Sequence, residues 1–234
     1  MSTSADTKAQ ENAQEARYII GIDLGTTNTA VTYVDLNETP DASGRTLHTF
    51  EIPQLVEAGE LGHRSVLSSF LYLPGAHELP NGATALPWAP DRPYAVGAFA
   101  QAQGARVPGR LVASAKSWLC NPKVDRTAPI LPWGAPDDVE QVSPVEATTR
   151  YLTHLREAWN AAHAEHPLET QTLVLTVPAS FDEVARELTV EAAQRAGLPA
   201  IVLLEEPLAA FYAWLDAHAA PRDQLQDQLQ DGAL

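Results

Sequence analysis

The segment YIIGIDLGTTNTAVTYVD, residues 18–35, constrains this chain more than any other. Its first half is an almost unbroken apolar run, the pattern of a strand buried on both faces. TAVTYVD (29–35) reads as a second strand, and only LGTTN separates the two. A connection that short implies an antiparallel hairpin turning through Gly25. Asp23 stands where the first strand reaches its C-terminal end, which brings a carboxylate to the sheet edge. Glycine then lets the backbone turn sharply and approach a ligand closely. Thr26 and Thr27 add hydroxyls beside backbone N–H groups, a set able to cradle phosphate oxygens. A carboxylate beside them can hold Mg²⁺ through water, because Mg²⁺ keeps much of its hydration shell. The turn joins two strands and lacks G-x-x-x-x-G-K-[ST], so it is not a P-loop. DLGTT by itself reads equally well as an ordinary hairpin with a polar turn.

Beyond the hairpin a loop leads to SVLSSFLYL (65–73), read as one further strand. Residues 74–93 hold five prolines and predict a long loop without a core of its own. YAVGAFAQAQGA and RLVASAKSWL predict two short helical pieces separated by Pro108 and Gly109, and 121–143 reads as loop. From Ser143 the character changes. SPVEATTRYLTHLREAWNAAHAEH has a Ser N-cap, Pro at the first helical position and Glu three residues after the cap. TLVLTVP (172–178) is a strand stopped by Pro178, and 182–197 a helix with Asp182 near its start and Gly197 as its C-cap. AIVLL (200–204) is a strand, and 206–220 a helix started by Pro207. This order predicts a mixed α/β sheet with helices packed on it.

A hydrophobic content of 45% marks a globular chain. Thirty Asp and Glu against 15 Lys and Arg leave a net charge of −15, which repels a phosphate backbone and argues against a nucleic-acid partner. Cys120 is the only cysteine, so neither an internal disulfide nor a Cys-based zinc site can form, as suits a reducing cytosol. No apolar run is long enough to span a membrane. His163 and His166 form an H-x-x-H at the end of the long helix, on one face at i, i+3 spacing, with no carboxylate set around them in sequence. The five tryptophans read as core or loop anchors, and DQLQDQLQ as an exposed helical extension.

YIIGIDLGTTNTAVTYVD resembles the first phosphate-binding segment of the DnaK-like 70-kDa heat-shock proteins, in the actin and sugar-kinase superfamily. TLVLTVPASFDEVARELTVEAAQRAGLPAIVLLEEPLAAFYAWL is similar to that family's VPA-F strand, its following helix and its EP-AA helix. Order and spacing agree from about Tyr18 to Leu215. The resemblance implies an α/β, actin-like (ribonuclease H-like) ATPase fold, here its first lobe. The expected division is an N-terminal tail (1–17), the lobe (18–220) with an irregular Pro-rich inserted subdomain at about 37–142, and a tail (221–234). That tail ends before the family's second phosphate loop, of DLGGGT type.

The family reading implies ATP or ADP with Mg, unfolded-polypeptide clients, co-chaperones and a cytoplasmic setting. Asp23 resembles the family's metal-water-organising aspartate. Gly25, Thr26, Thr27 and Asn28 resemble its phosphate loop, and Glu206 matches a glutamate facing the metal–phosphate centre. Residue by residue, Pro178 and Arg186 match positions that relay nucleotide state, or else are a strand terminator and a solvated helix charge. The family's catalytic lysine position is Gln101, in VGAFAQAQ, so hydrolysis is in question unless Arg106 or Lys116 substitutes; Lys116, in SAKSWL, otherwise reads as a surface charge. Two other readings stay open: a non-enzymatic interaction module with a degenerate half-site, and another actin-like or sugar-kinase relative.

Overall fold

The computed structural model describes residues 16–40 and 44–218. Most of the expected tails, 1–17 and 221–234, lies outside those residues, as does the DQLQ doublet. Ala16 and Arg17 are described, and Arg17 forks onto Asp35, with Nη2 to Oδ2 at 2.8 Å.

The hairpin forms as the sequence requires. β1 (Tyr18–Leu24) and β2 (Asn28–Asp35) pair antiparallel, Asp23 opposite Ala30. On its other side β1 is flanked by parallel β10 (Thr172–Val177), and β10 by parallel β11 (Val202–Glu205). β3 (His48–Thr49) and β6 (Val66–Ser68) both pair with β2. The result is a mixed sheet of order β11-β10-β1-β2-β3, the sheet of an actin-like ATPase fold.

The apolar run in β1 does not, however, bury both faces. Tyr18, Ile20, Ile22 and Leu24 are buried, while Ile19 and Asp23 between them are exposed. The buried set joins Leu173, Leu175 and Val177 of β10 in one core with helices α3 (Pro144–Ala162) and α4 (Glu183–Arg195). In α3, Ser143 Oγ accepts from the Glu146 amide at 3.0 Å, and Val145, Thr148, Leu152, Leu155 and Trp159 form the buried stripe at helical spacing. Asp182 caps α4 by accepting from the Ala185 amide at 2.7 Å. Gly197 follows that helix at φ 84°, a left-handed conformation that glycine adopts without a Cβ clash.

The middle of the chain is more ordered than its composition suggests. Residues read as loop before Ser65 contain a hairpin, β4 (Ile52–Glu57) with β5 (Glu60–Arg64). SVLSSFLYL is not one strand: it breaks at Ser69 into β6 and β7 (Phe70–Tyr72), which belong to different sheets. β7 pairs with β8 (Ala95–Val96) and β9 (Leu111–Ala113). The two expected helical pieces are thus each a short strand followed by a helix, α1 (Ala98–Arg106) and α2 (Ala115–Leu119). Gly97 at φ 90° and Ser114 at φ 56° make the strand-to-helix turns.

The Pro-rich stretch is a loop, yet it shares a core. Leu86 joins Leu55, Tyr72, Ala95 and Phe99, with Leu79 and Trp88 packed alongside. Arg92 ties it to α3. Its Nη1 donates to His154 Nδ1 at 3.2 Å, and its Nη2 pairs with Glu157. His154 Nε2 donates to Pro53 O at 3.0 Å. Burial, aided by the Arg92 charge, pushes the His154 pKa down to about 3, so the ring is neutral.

His163 and His166 do not share a helix face, because α3 ends at Ala162. Both rings instead pack edge-on against Tyr18. Among the described residues no group of three or more His, Cys, Asp or Glu is placed to hold a metal ion. Trp159 is a core residue, but Trp133 and Trp214 are exposed. No described helix is long and apolar enough to cross a membrane.

Candidate functional site

Because β1, β10 and β11 run parallel, their C-terminal ends meet at one sheet edge, the place where open α/β sheets bind ligands. The register sets Asp23 opposite Thr176, and Val177 opposite Glu205, on strands spaced about 4.8 Å apart. Asp23 is exposed there, and Thr176 Oγ1 donates to its Oδ1 at 2.7 Å. That bond fixes the carboxylate and leaves Oδ2 unengaged among the described residues.

The turn after β1 is pulled tight. The Gly25 amide donates to Asp23 O at 3.0 Å. A Cβ on Gly25 would sit 2.1 Å from the backbone oxygen of Asn28, so no side chain fits in this conformation. Ser69 holds the turn from the other side: its amide donates to Thr27 O and its Oγ to Gly25 O, both at 2.8 Å. Ser69 Oγ also bonds Thr29 Oγ1 at 3.0 Å, and its carbonyl accepts from Tyr151 Oη at 3.1 Å. Two turn carbonyls are therefore taken, while the amides of Thr26 and Thr27 have no partner among the described residues. Thr26, Thr27 and Asn28 are exposed. An exposed turn with spare donors and occupied acceptors is suited to an anion.

Glu206 opens α5 (Glu206–His218) immediately after β11. Its carboxylate forms an ion pair with Lys116 Nζ on α2. Lys116 is 8% exposed, which overturns its reading as a surface charge. Arg186 is not a free solvated charge either, for its Nη2 donates to Glu205 Oε1 at 2.7 Å. Pro178 ends β10 and its carbonyl accepts from the Phe181 amide at 3.1 Å. The edge therefore gathers Asp23 with Thr176, Arg186 with Glu205, and Lys116 with Glu206.

Two expected residues are not drawn into these pairs. Gln101 is exposed on α1 and its side chain has no hydrogen-bond partner among the described residues. Arg106 lines a cavity of about 270 Å³ with Val56, Glu57 and Phe99, none of them from the β1–β2 turn. Ser69 and Thr176 went unread in the sequence. The signal for Thr176 is a hydroxyl at the end of an otherwise apolar strand next to Pro178. For Ser69 it is the small polar pair Ser68–Ser69 inside an apolar run.

Residues 122–219 match the family model described as Hsp70 protein. The chain is 33% identical over 211 residues to a chaperone protein HscA homolog of Chromobacterium violaceum, covering 85% of this chain and 28% of that protein. A chaperone protein HscA homolog of Burkholderia multivorans is 31% identical over 215 residues (86% and 28%), and the chaperone protein HscA of an Enterobacter species 30% over 217 (86% and 29%). The chain thus spans 28–29% of the length of these curated relatives.

Proposed function

The chain belongs to the DnaK-like Hsp70 family, and from that premise we propose that its β1–β2 turn and strand-end carboxylates bind the polyphosphate of Mg-ATP. The observation that carries this reading is the state of the turn: its carbonyls are tied to Ser69 while the Thr26 and Thr27 amides stay open beside Asp23. Gly25, Thr26, Thr27 and Asn28 would take phosphate oxygens. Asp23, oriented by Thr176, would hold a hydrated Mg²⁺, with Glu206 on the same edge. Mg²⁺ in such sites takes one or two carboxylates plus phosphate oxygens, which is the donor set these residues offer. The cation's chemistry there is neutralisation of phosphate charge.

As part of an Hsp70-type chaperone, this lobe would couple nucleotide binding to a cycle on unfolded polypeptide, with Pro178 and the Arg186–Glu205 pair relaying nucleotide state from the strand end. Residues 37–142 would form a subdomain inserted in the lobe. Gln101 favours slow hydrolysis or binding alone, because an amide brings no positive charge to a developing transition state. Calorimetric titration of Mg-ATP into the chain, beside an Asp23→Ala control, tests the site. Saturable binding that is lost in the control is expected, and absence of heat up to millimolar nucleotide refutes the reading.

A further inference from the structure

We infer that Lys116 supplies the positive charge that meets the polyphosphate at this sheet edge, where Gln101 brings none. The inference rests on the reading of that edge as a Mg-ATP phosphate site.

Lysine is rarely buried unless paired, yet Lys116 is 8% exposed. It sits between Ala115 and Leu119 of α2, both in the main core, and its ammonium emerges against Glu206, whose side chain is 41% exposed. The long side chain is thus held in one path that ends at the solvent edge of β11. An ammonium has three N–H donors, and Glu206 is its single hydrogen-bond partner among the described residues. It can therefore keep Glu206 while donating to a phosphate oxygen.

The backbone just before it is also constrained. Ser114 adopts φ 56°, ψ 33°, with no side-chain capping hydrogen bond to offset that left-handed conformation. A non-glycine residue stays there only where its surroundings over-determine it. Here the conformation turns β9 into α2 and so aims the following residues.

The local charges require such a group. Asp23, Glu205 and Glu206 stand at this edge against Arg186 and Lys116, and Arg186 is engaged with Glu205. A triphosphate adds charge that one Mg²⁺ only partly neutralises, and phosphoryl sites add a lysine or arginine for the remainder. Glu206 is then a carboxylate whose repulsion toward phosphate is cancelled by its own lysine partner.

The test is the affinity of the chain for Mg-ATP, Mg-ADP and AMP, comparing wild type with Lys116→Met and Lys116→Arg, and repeating ATP without Mg²⁺. Lys116→Met is expected to weaken ATP about 10- to 100-fold, the range for one charge-assisted hydrogen bond. It should affect AMP far less, and the ATP loss should persist without Mg²⁺. Lys116→Arg should retain most of the affinity. An equal loss for ATP and AMP, or a loss confined to Mg²⁺-containing buffer, would reduce Lys116 to a support for Glu206 and overturn the inference. So would Lys116→Met binding within twofold of wild type, which leaves the phosphate site itself standing. Wild type that binds no nucleotide removes both. Lys116→Gln, with its unfolding midpoint compared, covers a Met variant that fails to fold.

Discussion

Ser69→Ala should cost this chain more than a typical serine truncation, because one buried hydroxyl serves two partners and one of them, Thr29, is itself fully buried. Ser69 is 2% exposed and Thr29 0%. The Ser69 Oγ donates to Gly25 O at 2.8 Å and meets Thr29 Oγ1 at 3.0 Å. Each ordinary hydrogen bond contributes about 1 kcal/mol net, and a buried polar group left without a partner costs about 1–3 kcal/mol. Gly25 is partly exposed, so its carbonyl can turn to water; the Thr29 hydroxyl has no such recourse. The sum is a loss of about 2–4 kcal/mol. Thr29→Val in the same background removes the orphaned hydroxyl at nearly constant volume and should recover about 1–2 kcal/mol of it. Urea unfolding of wild type, both single variants and the double variant, compared at constant m, closes the cycle. Ser69→Ala within about 0.5 kcal/mol of wild type, or singles that add within the same margin, would refute Ser69 as the tie that holds the turn.

Two acid-range predictions follow from the same structure. His154 titrates near 3 in the fold because burial and Arg92 disfavour its cation, whereas the unfolded chain takes up that proton near 6.5. Stability must therefore fall as pH drops from about 6.5 toward 3, by up to about 1.4 kcal/mol per pH unit from this residue; His154→Gln should flatten that part of a urea-midpoint profile, and an unchanged slope would sink the assignment. The Arg126 guanidinium, with bonds of 2.8 and 2.7 Å, and then the Ala185 amide hold Asp182 down to about 2. Its contribution is in place above the ordinary carboxylate range and is lost as pH falls through about 2, so Arg126→Gln should lower the thermal midpoint at neutral pH and shrink its fall below about pH 4; an acid profile identical to wild type would refute the pairing.

What the sequence revealed and what it hid follow from how far each feature reaches along the chain. The β1–β2 hairpin, α3 with its Ser143 cap and the β10–α4–β11 unit are local, so periodicity and caps suffice to read them. The middle is not local. SVLSSFLYL scans as one strand, because nothing within nine residues says that Ser69 must leave one sheet to bind the Gly25 turn 44 residues earlier. Exposure of Ile19 was hidden for a related reason: apolar content shows that a face can be buried, and not whether a helix arrives to cover it. Asp23 and the turn were visible because chemistry and spacing coincide within seven residues. Lys116 was visible only as one of two cations that could stand in for Gln101, since its pairing depends on Glu206, 90 residues away. Both contacts converge on the one sheet edge, and in each the partner lies in a different element, out of reach of a local pattern. A charged or hydroxyl residue that the fold buries at a strand end, after a sequence reading has assigned it to surface or strand, is thus the place to look for site residues that motifs omit.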